Sequence, residues 1–385
     1  MNSDTAQRIL IVAGEASGDL LASHLVKAMR AENSALSVSA MGGDGLREAG
    51  AEIIVDISRH AVMGITEVIG HLGTIYGVFR KLTLTLKRDR PDLLILVDYP
   101  DFNLRLARVA KKYRIPVMYY VSPQIWAWRT GRIKQIAASV STMVVVFPFE
   151  LSLYREAGVD AHFVGHPLLD IVKVSRSREE NSKRLGIAPG RTAIGLLPGS
   201  RLSEVKRILP PMLDAARRLS VERTDLQFII PVAPGLHKAE MEQLIRGAAV
   251  SATLVENSIY DVIDSSYLVI VASGTASLET ALLARPMVIV YRMSPLSYGI
   301  ARLLVKVPYI GMANIIAGKK VVPELIQDEA SGERIAAEAA RLLSDTHYYG
   351  TVHAELELIK KKLGEPGASA RAARIALGML KRRPA

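Results

Sequence analysis

Leu93–Val97 is a continuous apolar run that reads as a buried strand, and Asp98-Tyr99-Pro100-Asp101-Phe102-Asn103 follows it directly. Acids at the carboxyl end of a strand open into the crevice where α/β sheets bind their ligands. Pro100 fixes its own φ and keeps Tyr99 out of the helical region, so the two carboxylates are held in a defined relation. A carboxylate so placed can serve as general base toward a sugar hydroxyl, more effectively if partial burial raises its pKa. Asp98 carries that expectation. Asp101 equally suits the cap of a helix over Leu104–Lys112.

A second chemistry, anion binding, is written twice. Tyr267–Ala272 is short, apolar and rich in β-branched residues, as a buried strand would be, and Ser273, Gly274 and Thr275 mark its end. Ala276–Leu283 then offers helix formers, with Glu279 one turn in, where it could meet ribose hydroxyls. Unpaired N–H groups and the positive end of a helix dipole make such a turn an anion site, and the bare Gly274 lets a phosphate approach the backbone. Small polar residues are also what any tight strand-to-helix turn favours. Arg191–Leu197, Pro198-Gly199-Ser200-Arg201 and a helix over about Ser203–Leu219 repeat the arrangement with a cation added. Backbone N–H groups beside a forked guanidinium suit a diphosphate.

Other stretches carry weaker signals. Arg8–Ala13 is a first strand, and Gly14-Glu15-Ala16-Ser17-Gly18-Asp19 opens a helix to about Arg30, with Glu15 and Ser17 facing a possible polar ligand. Its glycines do not follow the G-x-G-x-x-G spacing, which argues against a dinucleotide cofactor. Met63, Ile65, Val68, Ile69, Leu72 and Ile75 precede Arg80, Lys81, Lys87, Arg88 and Arg90. Apolar first and basic afterwards suits an acyl chain at a headgroup boundary, or equally a core helix with a solvated end. Trp126 and Trp128, with Arg129, Arg132 and Lys134 close by, could stack on an apolar substrate portion while cations take a phosphate, or could simply pack a loop. His166 admits three roles, acid, phosphate ligand or satisfied hinge residue, of which the hinge is favoured.

These turns need elements to hold them. At 385 residues with 49% hydrophobic composition, two domains with their own cores are expected. Strands over Ser37–Met41, Glu52–Val55, Val117–Val121, Met143–Val146, Gln227–Val232, Ala252–Val255 and Pro286–Tyr291 alternate with helical stretches, so both halves read as doubly wound α/β units. The polar run Val174–Lys183 marks the boundary. Lys306–Asn314, Val322–Leu325 and Gln327 read as loop, and Glu333–Leu343, Val352–Leu363 and the basic Ser369–Arg383 as helices, the last free to cross back onto the first domain. The absence of cysteine excludes disulfides, thiolate metal sites and a cysteine nucleophile. The N-terminus lacks the features of a signal peptide and no apolar run is long enough to span a bilayer, so a cytoplasmic protein is expected. A formal net charge of +11 favours polyanions or anionic lipid. With no nucleic-acid-binding signature, a membrane surface or phosphorylated substrate ranks above nucleic acid.

Six motifs, taken together, carry a resemblance. V-A-G-E-A-S-G-D at Val12–Asp19, A-V-M-G at Ala61–Gly64, D-Y-P-D-F-N at Asp98–Asn103, Y-V-S-P-Q-I-W-A-W-R at Tyr120–Arg129, L-L-P-G-S-R at Leu196–Arg201 and A-S-G-T-A-S-L-E at Ala272–Glu279 resemble the lipid-A-disaccharide synthase family in order and spacing, end to end. The resemblance implies a glycosyltransferase B fold: two Rossmann-like domains facing across a cleft. Residues 1–173, joined by a C-terminal helix at 366–385, would take the acceptor and dock on the membrane, and residues 174–365 would bind the UDP-sugar donor. It implies transfer of 2,3-diacylglucosamine from its UDP conjugate to 2,3-diacylglucosamine 1-phosphate, with inversion and without metal or cofactor. By position, Asp98 would be the base; Glu15, Ser17, Met63, Gly64, Asp101 and Asn103 would line the acceptor side. Gly199, Ser200 and Arg201, with Ser273, Gly274, Thr275, Ala276, Ser277 and Glu279, would hold UDP, completed by Asn314 and Gln327. Peripheral attachment to the anionic cytoplasmic face of the inner membrane is also implied, with no nucleic-acid partner, and a homodimer is compatible with the sequence without being specified by it. A UDP-sugar epimerase of the same fold and a non-catalytic basic membrane-binding protein are the alternatives. Binding of UDP sets the two enzymes apart from the passive binder.

Overall fold

The computed structural model describes residues 7–57, 72–128, 130–174, 176–304 and 307–381. The chain divides into two compact units, Met1–Asp170 with Leu363–Ala385, and Ile171–Lys362. In each, short β-branched runs form strands of a parallel sheet. Strands buried on both faces have no need of a polar side, which is why they read as continuous rather than alternating apolar runs.

The first unit holds β1 (Arg8–Ala13), β2 (Ser37–Gly42), β3 (Glu52–Asp56), β4 (Leu93–Val97), β5 (Val117–Tyr120), β6 (Thr142–Val145) and β7 (Asp160–Phe163), in the order β3-β2-β1-β4-β5-β6-β7. The strand order reverses between β1 and β4, which pair in register from Ile9↔Leu93 to Ala13↔Val97. The turns after these two strands therefore emerge side by side at the topological switch point. One sheet face, bearing Leu10, Val12, Leu94, Leu96, Tyr119 and Met143, packs on Leu82 and Leu86 of helix Leu72–Arg88, on Phe102 and Leu106 of helix Pro100–Lys112, and on Ile136 of helix Ile133–Ser139. Helix Ala16–Glu32 packs instead on the C-terminal helix Ala368–Lys381.

The second unit has β8 (Thr192–Leu197), β9 (Leu226–Val232), β10 (Ala252–Glu256), β11 (Leu268–Ala272), β12 (Met287–Tyr291) and β13 (Glu324–Ile326), in the order β10-β9-β8-β11-β12-β13. Here the switch lies between β8 and β11, paired from Leu268↔Ile194 to Val271↔Leu197. Two boundaries differ from expectation. Glu324–Ile326, read as loop, is an edge strand on β12, and Pro323 stands just before its first residue, where proline is tolerated and its carbonyl still accepts from Ile289 N–H. The helix expected from Val352 begins at Thr346, because the Asp345 carboxylate caps it through Tyr348 N–H at 2.8 Å.

Candidate active site

The crest of β4 is strained. Asp98 and Tyr99 both have left-handed backbone, with φ of +47° and +48°, which is uncommon for residues with side chains. Three contacts hold them there. Asn103 Nδ2 donates to the Asp98 carbonyl at 2.7 Å and to Val97 O at 3.2 Å, and the buried Tyr119 hydroxyl donates to the same Asp98 carbonyl at 2.5 Å. The Tyr99 ring stacks on Phe102 with centroids 5.4 Å apart. It also lies across Gly14, where a Cβ would sit 2.3 Å from the ring, so glycine is required at that turn.

The half-buried Asp98 carboxyl is pushed up to about 6, first by burial and then by the neighbouring Glu15 carboxylate, against the pull of the Tyr99 N–H. Glu15 sits at the N-cap of helix Ala16–Glu32 and Ser17 is exposed in its first turn, so the β1 turn and the β4 turn form one polar edge. A carboxylate near neutrality is matched to accepting a proton from an alcohol.

The remaining acceptor-side expectations divide. Asp101 is exposed in the first turn of its helix and pairs with Arg132. Asn103 is fully buried beneath the crest, so it positions Asp98 and does not face a ligand; its Oδ1 has no partner among the described residues. Met63 and Gly64 lie outside the described residues. His166 is buried, its Nδ1 accepts from Leu168 N–H at 3.2 Å, and burial pushes its pKa down to about 3, which leaves a neutral structural ring. Asp19, to which the sequence alone gives no role, accepts from the N–H groups of Gly43, Gly45 and Leu46 at 2.6, 2.9 and 3.3 Å and so locks the β2 turn against the β1 helix.

On the second unit, the turns after β8 and β11 stand together. Gly199 has a φ of +114°, and Arg201 is the N-cap of helix Leu202–Glu222. The N–H groups of Ser200 and Arg201 donate to Glu204, whose carboxylate lies against Gly199 and near the Arg201 guanidinium. A carboxylate thus already occupies part of the expected anion cradle. After β11, Gly274 has φ +155° and ψ −159°, backbone open to glycine alone, and the space where a Cβ would stand has no atom within 4 Å. Gly274 and Thr275 are exposed, and Ala276 follows half-buried. Ser273 Oγ and Ser277 Oγ donate to the carbonyls of Ile310 and Gly274, at 3.3 and 2.7 Å, which stiffens the turn and leaves its helix N-terminus open.

Glu279 is buried and accepts from the Tyr260 hydroxyl at 3.0 Å; burial raises its pKa. Asn314 is spent on the chain: Nδ2 donates to Val322 O and Glu324 Oε1 at 2.9 and 2.7 Å, and Oδ1 accepts from the N–H groups of Val321 and Val322 at 2.7 and 3.0 Å. Gln327, with φ +54°, clamps Met293 through both ends of its amide, at 2.7 and 3.2 Å. Both residues shape the segments beside the turns after β8 and β11.

Two doubly wound parallel sheets, each with polar turns at its switch point, define a protein of the glycosyltransferase B fold. Two solved structures share it at identities that speak for fold alone. S. aureus MnaA in its UDP co-structure matches with TM-score 0.67 and 15% identity over 98% of this chain and 99% of that one, and the UDP-GlcNAc 2-epimerase from Neisseria meningitidis bound to UDP-GlcNAc matches with TM-score 0.64 and 11% identity over 98% and 100%. The sequence goes further: the lipid-A-disaccharide synthetase family model matches residues 9–377, and the lipid-A-disaccharide synthase of Geobacter sulfurreducens is 47% identical over 380 residues, 99% of each chain. The chain belongs to the lipid-A-disaccharide synthetase family.

Proposed function

We propose that this chain transfers 2,3-diacylglucosamine from its UDP conjugate to the 6-hydroxyl of 2,3-diacylglucosamine 1-phosphate, inverting the anomeric carbon to a β-1,6 link and releasing UDP. The observation that carries this reading is the Asp98 carboxylate, raised toward neutrality on a strained crest. The acceptor oxygen forms its bond to the anomeric carbon as the bond to the β-phosphate breaks, and the electron pair departs with UDP. Asp98 takes the hydroxyl proton. The Arg201 guanidinium and the helix N-terminus at Gly274–Thr275 stabilise the negative charge that grows on the diphosphate. In this reading the first unit takes the acceptor and the second the donor.

Charge distribution supports attachment to an anionic bilayer. Helices Leu72–Arg88, Pro100–Lys112 and Ile133–Ser139, with the turn Thr130–Arg132, carry ten lysines and arginines and a single carboxylate, Asp101. These three helices and the turn therefore present a strong local excess of cations on one side of one sheet. Arg108, Lys111, Lys112 and Lys134 line a groove of about 560 Å³ there, and Tyr76, 69% exposed, and Leu84 stand on the solvent stripe of the first of these helices. Cations around exposed apolar groups are what a headgroup boundary requires. No helix among the described residues is long and apolar enough to cross a membrane. Neutralising Arg108, Lys112 and Lys134 together to glutamine is expected to weaken binding to phosphatidylglycerol-containing vesicles about a hundredfold and to leave neutral vesicles unaffected, as read by co-sedimentation.

The test of the reaction is a detergent-micelle assay containing EDTA in which donor and acceptor are supplied together and each is omitted in turn. Disaccharide 1-phosphate and UDP are expected only with both. UDP release or an altered sugar without acceptor would point to epimerase or hydrolase chemistry, and tight lipid binding without turnover to a passive membrane protein.

A further inference from the structure

Glu150, in the first turn of the helix Pro148–Glu156 that follows β6, is a buried acid that the transfer chemistry leaves unused, and the end of β5 packs against it. Val121 has a φ of +63°, which β-branched side chains avoid, and backbone of that kind persists only where its surroundings over-determine it. Next to it, the Ser122 hydroxyl donates to Glu150 Oε1 at 2.5 Å, and Trp126 Nε1 donates to the same oxygen at 3.0 Å. Glu150 Oε2 accepts from Phe147 N–H at 3.3 Å. The carboxylate is 1% exposed, and burial pushes its pKa up to about 7 in spite of these donors. A helix cap alone does not call for this arrangement, since an exposed serine or aspartate caps at far lower desolvation cost.

What the acid does hold is an indole. Trp126 meets Phe149 edge to face, with centroids 5.2 Å apart and planes at 90°, and Phe149 stacks in turn on Phe147 at 5.6 Å and 8°. Phe149 is 38% exposed, so the aromatic cluster has an open side. Its place in the sheet is defined by register: Asp98 N–H donates to Tyr120 O at 3.4 Å, and Val121 N–H to Val144 O at 3.1 Å. The ends of β4, β5 and β6 are thus consecutive, and the cluster stands on the carboxyl edge that carries Asp98.

We propose that Glu150 is a positioning residue which, through Ser122 and Trp126, fixes Trp126 and Phe149 as an aromatic wall for the apolar C–H face of the acceptor sugar. Aromatic rings offer large rigid apolar area to such a face, and an indole anchored through its N–H keeps one orientation. The proposal rests on the assignment of the acceptor to the first unit.

Steady-state kinetics in mixed micelles test it, with Glu150→Ala, Trp126→Ala and Phe149→Ala compared with the unaltered protein. Each variant is expected to raise the acceptor KM about tenfold while kcat and the donor KM stay within about threefold. Phe149→Ala removes an exposed ring and keeps the test valid should the loss of Glu150 disturb folding. Alongside it, Trp126 emission is followed in a Trp128→Phe background as diacylglucosamine 1-phosphate is added. The emission is expected to respond, and to lose that response in Glu150→Ala. An acceptor KM within twofold of the unaltered value in Phe149→Ala and Trp126→Ala overturns the proposal, as does a parallel loss of donor KM and kcat, which would mark a merely structural role. If the unaltered protein makes no disaccharide yet Trp126 responds to the lipid, the wall stands and the transfer reaction fails.

Discussion

Asp98→Asn is expected to lower kcat by about a thousandfold while UDP affinity stays unchanged, because the amide keeps the shape of the crest and cannot take a proton. With the unaltered side chain, kcat/KM should rise with pH and level off above about 6, where the carboxylate is free to accept. The same substitution should stabilise the protein. Asp98 has a folded pKa of about 6 against an ordinary value of 3.8, so the folded state holds this proton more tightly than the unfolded state does. Stability contributed by the protonated form is therefore lost as pH rises between those two values, and above pH 6 the fold carries the full cost of the buried charge. That cost is about 3 kcal/mol at most, and nearer about 2 kcal/mol because the carboxylate is still partly open to solvent. Denaturant unfolding at pH 7.5 should show Asp98→Asn more stable by about that amount, and the difference should shrink toward pH 4. Turnover near that of the unaltered protein in a stably folded Asp98→Asn would remove the base assignment.

Arg201→Ala is expected to lower kcat/KM for the donor by about a hundredfold or more and to weaken UDP in parallel. The size of the effect follows from Glu204. Its carboxylate already accepts the N–H groups of Ser200 and Arg201, so a diphosphate arriving without the guanidinium meets a negative charge with its counterion gone. Arg201→Lys should recover only part of the loss, since a point charge cannot match two phosphate oxygens at once. Titration calorimetry with UDP reads the binding directly. Unchanged UDP affinity in Arg201→Ala would exclude this turn from the donor site.

The crest and the two turns were legible as places in the fold because their residue types are local facts. An apolar run ending in Asp98-Tyr99-Pro100-Asp101, and two small-residue turns at Gly199 and Gly274, announce strand ends and helix starts whatever surrounds them. The family was legible for the same reason, six motifs at fixed spacing. Less legible were the roles of side chains whose partners lie far along the chain. Asn103 and Asn314 have the composition of ligand contacts, but each is buried and bonded to backbone. Glu150 and Glu204 gave no local sign of their work, because the groups they hold are brought to them by neighbouring strands or by a tight turn.

The amino-acid sequence by itself determined the alternation of strands and helices, the polar turns and the excess of positive charge, since each depends on neighbours a few residues away. Only the tertiary structure decided which turns stand together. β1 lies beside β4, and β8 beside β11, by the order in which parallel strands pair, so Glu15 reaches Asp98 and the Arg201 turn stands beside Gly274. It alone raised the Asp98 pKa, because burial and the Glu15 charge are properties of the assembled sheet rather than of the motif. It alone placed the cations of three separate helices on one side of that sheet.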